Sequence, residues 1–214
     1  MSHALQLLQS LDEDAIRATT ELRWGPATAV LTVFSAWWVK GPLLVAAGWG
    51  ADLRRRRLFP LVAFAATASF FLASGLNFLI KGLVDRSRPP QEMGLDALVG
   101  VPTSPSFPSG HAMSAFAVAA AIAVLAPRAR WCVLGLATAI AFSRVYLGVH
   151  FWADVLAGAA LGIVVGVVVG LVARQARTTA GAATPAAGWS AAGASAPRAL
   201  AGSMRAARAR ATEK

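Results

Sequence analysis

Three short polar clusters hold the residue types that phosphoryl transfer requires. The first runs Lys81-Gly-Leu-Val-Asp-Arg-Ser-Arg88-Pro89, the second is Pro108-Ser109-Gly110-His111, and the third is Ser143-Arg144 followed by His150 and Asp154. Phosphoryl transfer spreads negative charge over three equatorial oxygens, so fixed cations and amide donors supply most of the catalysis. Lys81, Arg88 and Arg144 are the cations; arginine offers a planar fork matched to phosphate oxygens, lysine a point charge. Ser109 and Gly110 follow a proline and open an apolar run, so free backbone amides and a helix dipole favour an anion there, and glycine permits close approach. His150 and Asp154 are four residues apart and share one helical face. A carboxylate in that place keeps one ring nitrogen protonated and leaves the other free to attack. His111 adds a second imidazole.

Each residue alone has a plainer reading. Lys81 or Arg88 by itself reads as a side chain snorkelling at a span end, and a lone histidine at an interface reads as structural. Asp154 does not reduce so easily, because an ionised aspartate inside an apolar span costs about 2.5 to 3.5 kcal/mol when central. Its expected partner is His150. Asp85 and Arg86 fall outside the clusters and are read as structural, with Asp85 pairing to Arg86 or Arg88.

The spacing and order of the three clusters, over residues 81–154, resemble the three-part pattern of the type-2 phosphatidic acid phosphatase superfamily, whose relatives include vanadate-dependent haloperoxidases. The resemblance implies that His150 is the nucleophile that becomes phosphohistidine, held by Asp154. It implies that His111 is the general acid that protonates the leaving oxygen and then activates water. Lys81, Arg88, Ser109, Gly110 and Arg144 then hold the phosphate. No metal and no other cofactor is expected: the outer loops offer only Asp85, Glu92, Asp96 and Asp154 as carboxylates, and three cations stand beside them.

These clusters need elements to carry them, and composition says what kind. The chain of 214 residues is 57% hydrophobic and 14% charged, against about 25% charged in soluble domains. The expectation is an all-α, polytopic transmembrane bundle of five or six spans with the active site at the outer membrane face. Phe59 to Ile80 gives 22 residues without a charge. Further spans are expected at about 112–126, 131–149 and 151–172. Residues 27–50 are long enough too, but Lys40-Gly41-Pro42 interrupts them, giving either one kinked span or a short re-entrant helix followed by a second. Residues 1–26 are read as an N-terminal amphipathic segment, with Leu5, Leu8, Leu11 and Ile16 lying at the membrane surface or packing on the bundle. Asp12, Glu13 and Asp14 argue against a cleavable signal peptide. Residues 27–173 are expected to form the transmembrane phosphatase domain, and 174–214 a disordered, basic, alanine-rich cytoplasmic tail; the alternative is weak binding of anionic lipid through Arg205, Arg208 and Lys214. Cys132, the single cysteine, is read as a small core residue, and Trp37, Trp38, Trp131 and Trp152 as interfacial belts.

Basic residues orient the spans. Arg54 to Arg57, Arg128, Arg130 and the seven Lys and Arg from 174 onward place 13 of 20 on one face, which the positive-inside rule makes cytoplasmic. The clusters then lie outside, toward the periplasm or cell exterior of a bacterial inner membrane. The expected partners are a lipid phosphate entering from the outer leaflet and the surrounding membrane lipids, with no nucleic acid; the sequence fixes no oligomeric state. Substrates implied by the resemblance are an isoprenoid carrier diphosphate such as undecaprenyl diphosphate, or phosphatidic acid or phosphatidylglycerol phosphate. The rival readings are a haloperoxidase, whose compared members are large and soluble, and a non-catalytic scaffold, which has no use for the clusters.

Overall fold

A computed structural model describes residues 3–36, 39–54 and 60–183, which form helices joined by turns and loops, with no strand among them. Trp37, Trp38, Arg55 to Arg57 and the tail beyond residue 183, with Arg205, Arg208 and Lys214, lie outside the described residues. The chain divides into two units, Met1–Arg177 and Thr178–Lys214. The first holds all the polar clusters; of the second, residues 178–183 are described and are helical.

In chain order the helices are α1 (His3–Glu21), α2 (Gly25–Phe34), α3 (Leu44–Arg54), α4 (Leu61–Leu83), α5 (Pro89–Met93), α6 (Gly110–Leu125), α7 (Arg130–Tyr146) and α8 (Trp152–Ala183). A π-helical turn over Val39–Leu43 precedes α3, and a 3-10 turn over Pro127–Ala129 precedes α7. The apolar stretch around Lys40-Gly41-Pro42 is thus broken into two helices. Pro42 sits inside the π turn, where a ring that cannot donate is tolerated because the α ladder is already interrupted.

α4 and α8 are long and apolar enough to cross a bilayer, and only 33% and 28% of their most apolar windows are buried. Such helices would be mostly buried if they formed a soluble core, so this exposed apolar surface calls for lipid around it. Phe64, Phe71, Phe78 and Leu79 of α4 all face outward. Cys132 is exposed as well, which corrects its reading as a core residue: in lipid a small apolar side chain has no preference for the bundle interior. Trp131 is exposed, whereas Trp152 donates its indole N–H to Thr19 Oγ1 at 3.0 Å.

α6 is the axis of the bundle. Ala112, Ala115, Ala117, Ala119 and Ala121 are all buried around it, together with Met113, Val118 and Ile122. Small side chains let α4, α7 and α8 approach closely. On α8 the glycines recur every fourth residue at 158, 162, 166 and 170 and face α6. A Cβ at Gly158 would lie 2.6 Å from Ser109 O, and Cβ atoms at Gly162 and Gly166 would collide with the carbonyls of Met113 and Ala117. Backbone therefore rests on backbone, and this contact sets the spacing between the second and third polar clusters.

Local signals end the elements where the clusters begin. α4 starts with Ala63 N donating to Asp52 Oδ2 at 3.0 Å, which satisfies one of its orphan amides. It ends with Lys81 in its last turn, where a cation suits the carbonyl end. α5 begins at Pro89 and stops at Gly94, φ 67°. Between α7 and α8, Gly148 at φ 78° makes the tight reversal that carries the chain from Arg144 to His150.

Candidate active site

The first motif leaves α4 as a non-helical segment, extended at Val84 and Arg88, the second opens α6, and the third closes α7 and opens α8, so all three meet at one end of the bundle. Asp154 is the hub and is fully buried. Its Oδ1 accepts from Arg86 Nη1 at 2.9 Å. Its Oδ2 accepts from Phe151 N at 3.0 Å and from the Ser106 hydroxyl. Its backbone carbonyl accepts from Ser109 N at 3.0 Å.

His150, 2% exposed, lies in the turn before α8. Its Nδ1 is 3.4 Å from Asp154 Oδ2 and 3.3 Å from Ser106 Oγ; its Nε2 is 3.1 Å from Arg88 Nη1. Arginine has donors only, so Nε2 must be the acceptor and the ring proton belongs on Nδ1, facing the carboxylate. Burial lowers the His150 pKa to about 4; the hydrogen bond with Asp154 opposes the shift, while the charges of Arg88 and Arg144 add to it. The imidazole is therefore neutral, with its Nε2 lone pair facing the cations.

The cations converge. Arg88, buried, donates Nε to Ser104 O at 2.9 Å, Nη1 to Val149 O at 2.8 Å and Nη2 to Pro105 O at 3.3 Å. Desolvation lowers its pKa and Asp154 acts in the other direction. Lys81 Nζ also donates to Pro105 O. Arg144, 3% exposed, donates to Ser35 O and Ser35 Oγ, and His111 Nε2 lies 3.1 Å from the same Ser35 carbonyl. A carbonyl only accepts, so in this contact His111 carries a proton on Nε2. Ser109 Oγ and Arg144 Nε are buried with no hydrogen-bond partner among the described residues. Leaving such donors unpaired is costly. Gly110 opens α6 beneath Asn77, whose Oδ1 would stand 2.9 Å from a Cβ there.

Several contributors were not among the expected site residues. Arg86 pairs with Asp12 Oδ2 and Asp154 Oδ1, both at 2.9 Å, rather than with Asp85. Arg88 turns to carbonyls and His150 rather than to Asp85. Asn77 Nδ2 supports the second cluster by donating to Pro108 O at 3.0 Å; an amide inside an apolar span was its visible signal. The glycine repeat of α8 was equally visible as a spacing. Ser35 and Ser106 had no comparable mark. Among the described residues, no three His, Cys, Asp or Glu side chains gather where they could hold a metal.

Comparison with known proteins places this fold in a family. Residues 61–177 match the family described as the PAP2 superfamily. A decaprenylphosphoryl-5-phosphoribose phosphatase of Mycobacterium tuberculosis is 40% identical over 123 residues, 56% of this chain and 65% of that protein. An undecaprenyl-diphosphatase of Sulfolobus acidocaldarius is 30% identical over 141 residues, 64% of this chain and 57% of that protein. The matches thus span somewhat less than two thirds of these relatives. The crystal structure of a transmembrane PAP2 type phosphatidylglycerolphosphate phosphatase from Bacillus subtilis superimposes with a TM-score of 0.64 at 28% identity, covering 81% of this chain and 88% of that one.

Proposed function

This chain belongs to the PAP2 superfamily, and from that membership and the geometry of its polar cluster we propose that it is a metal-independent membrane phosphatase acting on a lipid phosphate or diphosphate through a phosphohistidine. The observation that carries the reading is the placement of the His150 ring, with Nδ1 3.4 Å from Asp154 Oδ2 and Nε2 3.1 Å from Arg88 Nη1, from which the Nδ1–H tautomer follows. In the first step the Nε2 lone pair attacks phosphorus and the bond from phosphorus to the leaving oxygen breaks. His111 acts as the imidazolium, protonated on both ring nitrogens, and the Nε2 proton that faces Ser35 O passes to the leaving oxygen, leaving the ring neutral. In the second step His111, now neutral, takes a proton from water. The water oxygen bonds to phosphorus, the P–N bond breaks and inorganic phosphate leaves. Lys81, Arg88, Arg144, the Ser109 hydroxyl and the amide of Gly110 stabilise the equatorial oxygens.

For the substrate we favour a phosphate or diphosphate on a polyprenyl carrier, because two relatives are named for decaprenyl and undecaprenyl compounds. A glycerophospholipid phosphate is the second reading, favoured by the Bacillus subtilis structure. We further propose five crossings, with the site facing the periplasm or cell exterior. α2 starts beside Tyr146 and ends beside Arg144, and at about 15 Å for ten residues it is too short to cross. Residues 39–54 then run to the far end, where Asp52 meets Ala63. With α4, α6, α7 and α8 that makes five, leaving α1 on the site's side, where Asp12 touches Ala153.

A phosphate-release panel in detergent with EDTA, across polyprenyl diphosphates, phosphatidic acid and phosphatidylglycerol phosphate, tests the proposal. Release from a polyprenyl compound is expected. Release only from glycerophospholipids would overturn the substrate preference, and no release from any of them would overturn the activity.

A further inference from the structure

Asp12 stands outside both the polar clusters and residues 61–177, yet it reaches the same hub. Its Oδ1 accepts from Ala153 N at 3.0 Å, in the first turn of α8, and its Oδ2 accepts from Arg86 Nη2 at 2.9 Å. Arg86 passes its other nitrogen, Nη1, to Asp154 Oδ1 at 2.9 Å. The guanidinium is fixed in plane from a further side, its Cζ 4.1 Å over the Phe151 ring. Arg86 is thus a bridge between two carboxylates, one on the N-terminal helix and one that holds the imidazole of His150. Its side chain is 22% exposed, against 8% for Asp12 and 0% for Asp154, so the pair seals the dyad from the outer side.

The bridge has a specific mechanical effect. Oδ1 of Asp154 is engaged by Arg86, so Oδ2 is the oxygen left for Ser106, Phe151 N and the His150 ring. A carboxylate held at both oxygens cannot rotate about its Cβ–Cγ bond, and a bidentate-capable cation fixes orientation better than a point charge does. Two more contacts fasten α1 in place: Thr19 accepts from Trp152 Nε1 at 3.0 Å, and Gln9 Nε2 donates to Glu92 Oε1 at 2.9 Å.

We propose that Asp12 and Arg86 are positioning residues for the nucleophile, so that the N-terminal helix is part of the active-site assembly. They act through Asp154: Asp12 aims Arg86, Arg86 aims Asp154, and Asp154 keeps the His150 proton on Nδ1. This rests on the phosphatase reading above for its kinetic consequence, but not for its structural one.

The test uses the full-length protein and the variants Arg86→Gln, Arg86→Lys, Asp12→Asn and Asp12→Asn/Arg86→Gln, read in two ways. Steady-state hydrolysis should show kcat falling by about 10- to 100-fold in Arg86→Gln with KM nearly unchanged, the scale at which partners behind a functional histidine act. Arg86→Lys should recover part of the loss, Asp12→Asn should lose less, and the double variant should be no worse than Arg86→Gln alone, because both residues act along one path. Independently, 15N imidazole NMR, assigned with His150→Ala among the three histidines, should show His150 as the Nδ1–H tautomer in the wild type and a mixture in Arg86→Gln. A wild-type tautomer in Arg86→Gln overturns the inference, whatever the kinetics. So does a kcat loss in Arg86→Gln that Arg86→Lys shares in full and that a lowered melting temperature accompanies. If no lipid phosphate is hydrolysed by the wild type, the phosphatase reading fails alone, and the tautomer still decides this inference.

Discussion

Arg88 Nη1 lies 3.1 Å from His150 Nε2, and the consequence reaches across the ring to Asp154. Because the guanidinium can only donate, it favours the same tautomer that Asp154 holds from the other side, with a lone pair on Nε2 and the Nδ1 proton facing Asp154 Oδ2 and Ser106 Oγ at 3.4 and 3.3 Å. Neither partner does this alone. In the proposed mechanism the Arg88 contact passes from the ring to the substrate before attack, which couples phosphate binding to release of the lone pair.

The covalent step gives the plainest expectation. His150→Ala should abolish turnover, and wild-type protein quenched without acid should carry phosphate on His150. His111→Ala should lose activity by roughly 10²- to 10⁴-fold with poor leaving groups and far less with good ones, because only proton donation is removed. Full activity of His150→Ala, or an equal loss across leaving groups in His111→Ala, would refute the respective role.

The pH dependence follows from burial of His150. Its pKa is moved down from 6.5 to about 4, first by desolvation, so the neutral, attacking form persists well below the ordinary histidine range. The acid limb that this group imposes on kcat/KM should therefore fall below pH 6.5. Stability follows with the same sign. The folded state binds fewer protons than the unfolded one between the two values, so this contribution is complete above pH 6.5 and is lost as pH falls through about 4. Melting temperatures of wild type and His150→Gln across pH 4 to 7.5 measure it; parallel curves would show no such linkage.

Arg144 tests the anion site. Orthovanadate resembles the trigonal-bipyramidal phosphoryl group and should inhibit strongly, while EDTA should leave activity intact. Arg144→Ala should weaken vanadate inhibition and lower kcat together, by about 3 to 4 kcal/mol if it behaves as an oxyanion donor. A fall in kcat at unchanged vanadate affinity would place Arg144 outside the phosphoryl site.

The glycine contact between α8 and α6 makes a stability prediction. Gly162→Val should destabilise the protein by at least the 1 to 3 kcal/mol typical of overpacking, about 1 to 3 here as a floor, because the obstacle is the Met113 carbonyl and cannot rotate away. Gly75→Ala on α4 is the control: nothing lies within 4 Å of its Cβ, so helix propensity should leave it neutral or slightly stabilised. Equal melting temperatures for the two variants would mean that the helices are not in backbone contact.

Orientation is checked by labelling. With Cys132→Ser as background, Met93→Cys should react with an impermeant maleimide added to intact spheroplasts and Ala129→Cys should not. The reverse pattern would turn the site to the cytoplasm.

The sequence by itself determined which residues have chemistry to offer and that helices must carry them. Three cations, two histidines and an aspartate at fixed spacings are legible because residue type and short-range order carry that information, and the pair His150 and Asp154 needs only helical periodicity to meet. Uncharged runs such as 59–80 announce helices because hydrocarbon admits no unpaired backbone. What the sequence could not say is which apolar side chains face inward, since lipid and protein interior are equally apolar: Cys132 and Phe78 are exposed while Ala137 and Ile140 are buried. Only the tertiary structure decided the partners of Arg86, because Asp12 and Asp154 lie 74 and 68 residues from it, while Asp85, its sequence neighbour, lies in the non-helical segment between α4 and α5. The same holds for Ser106, 48 residues from Asp154. Contacts of that range are set by how closely α6 and α8 approach, and that distance is a property of the packed glycines rather than of either motif.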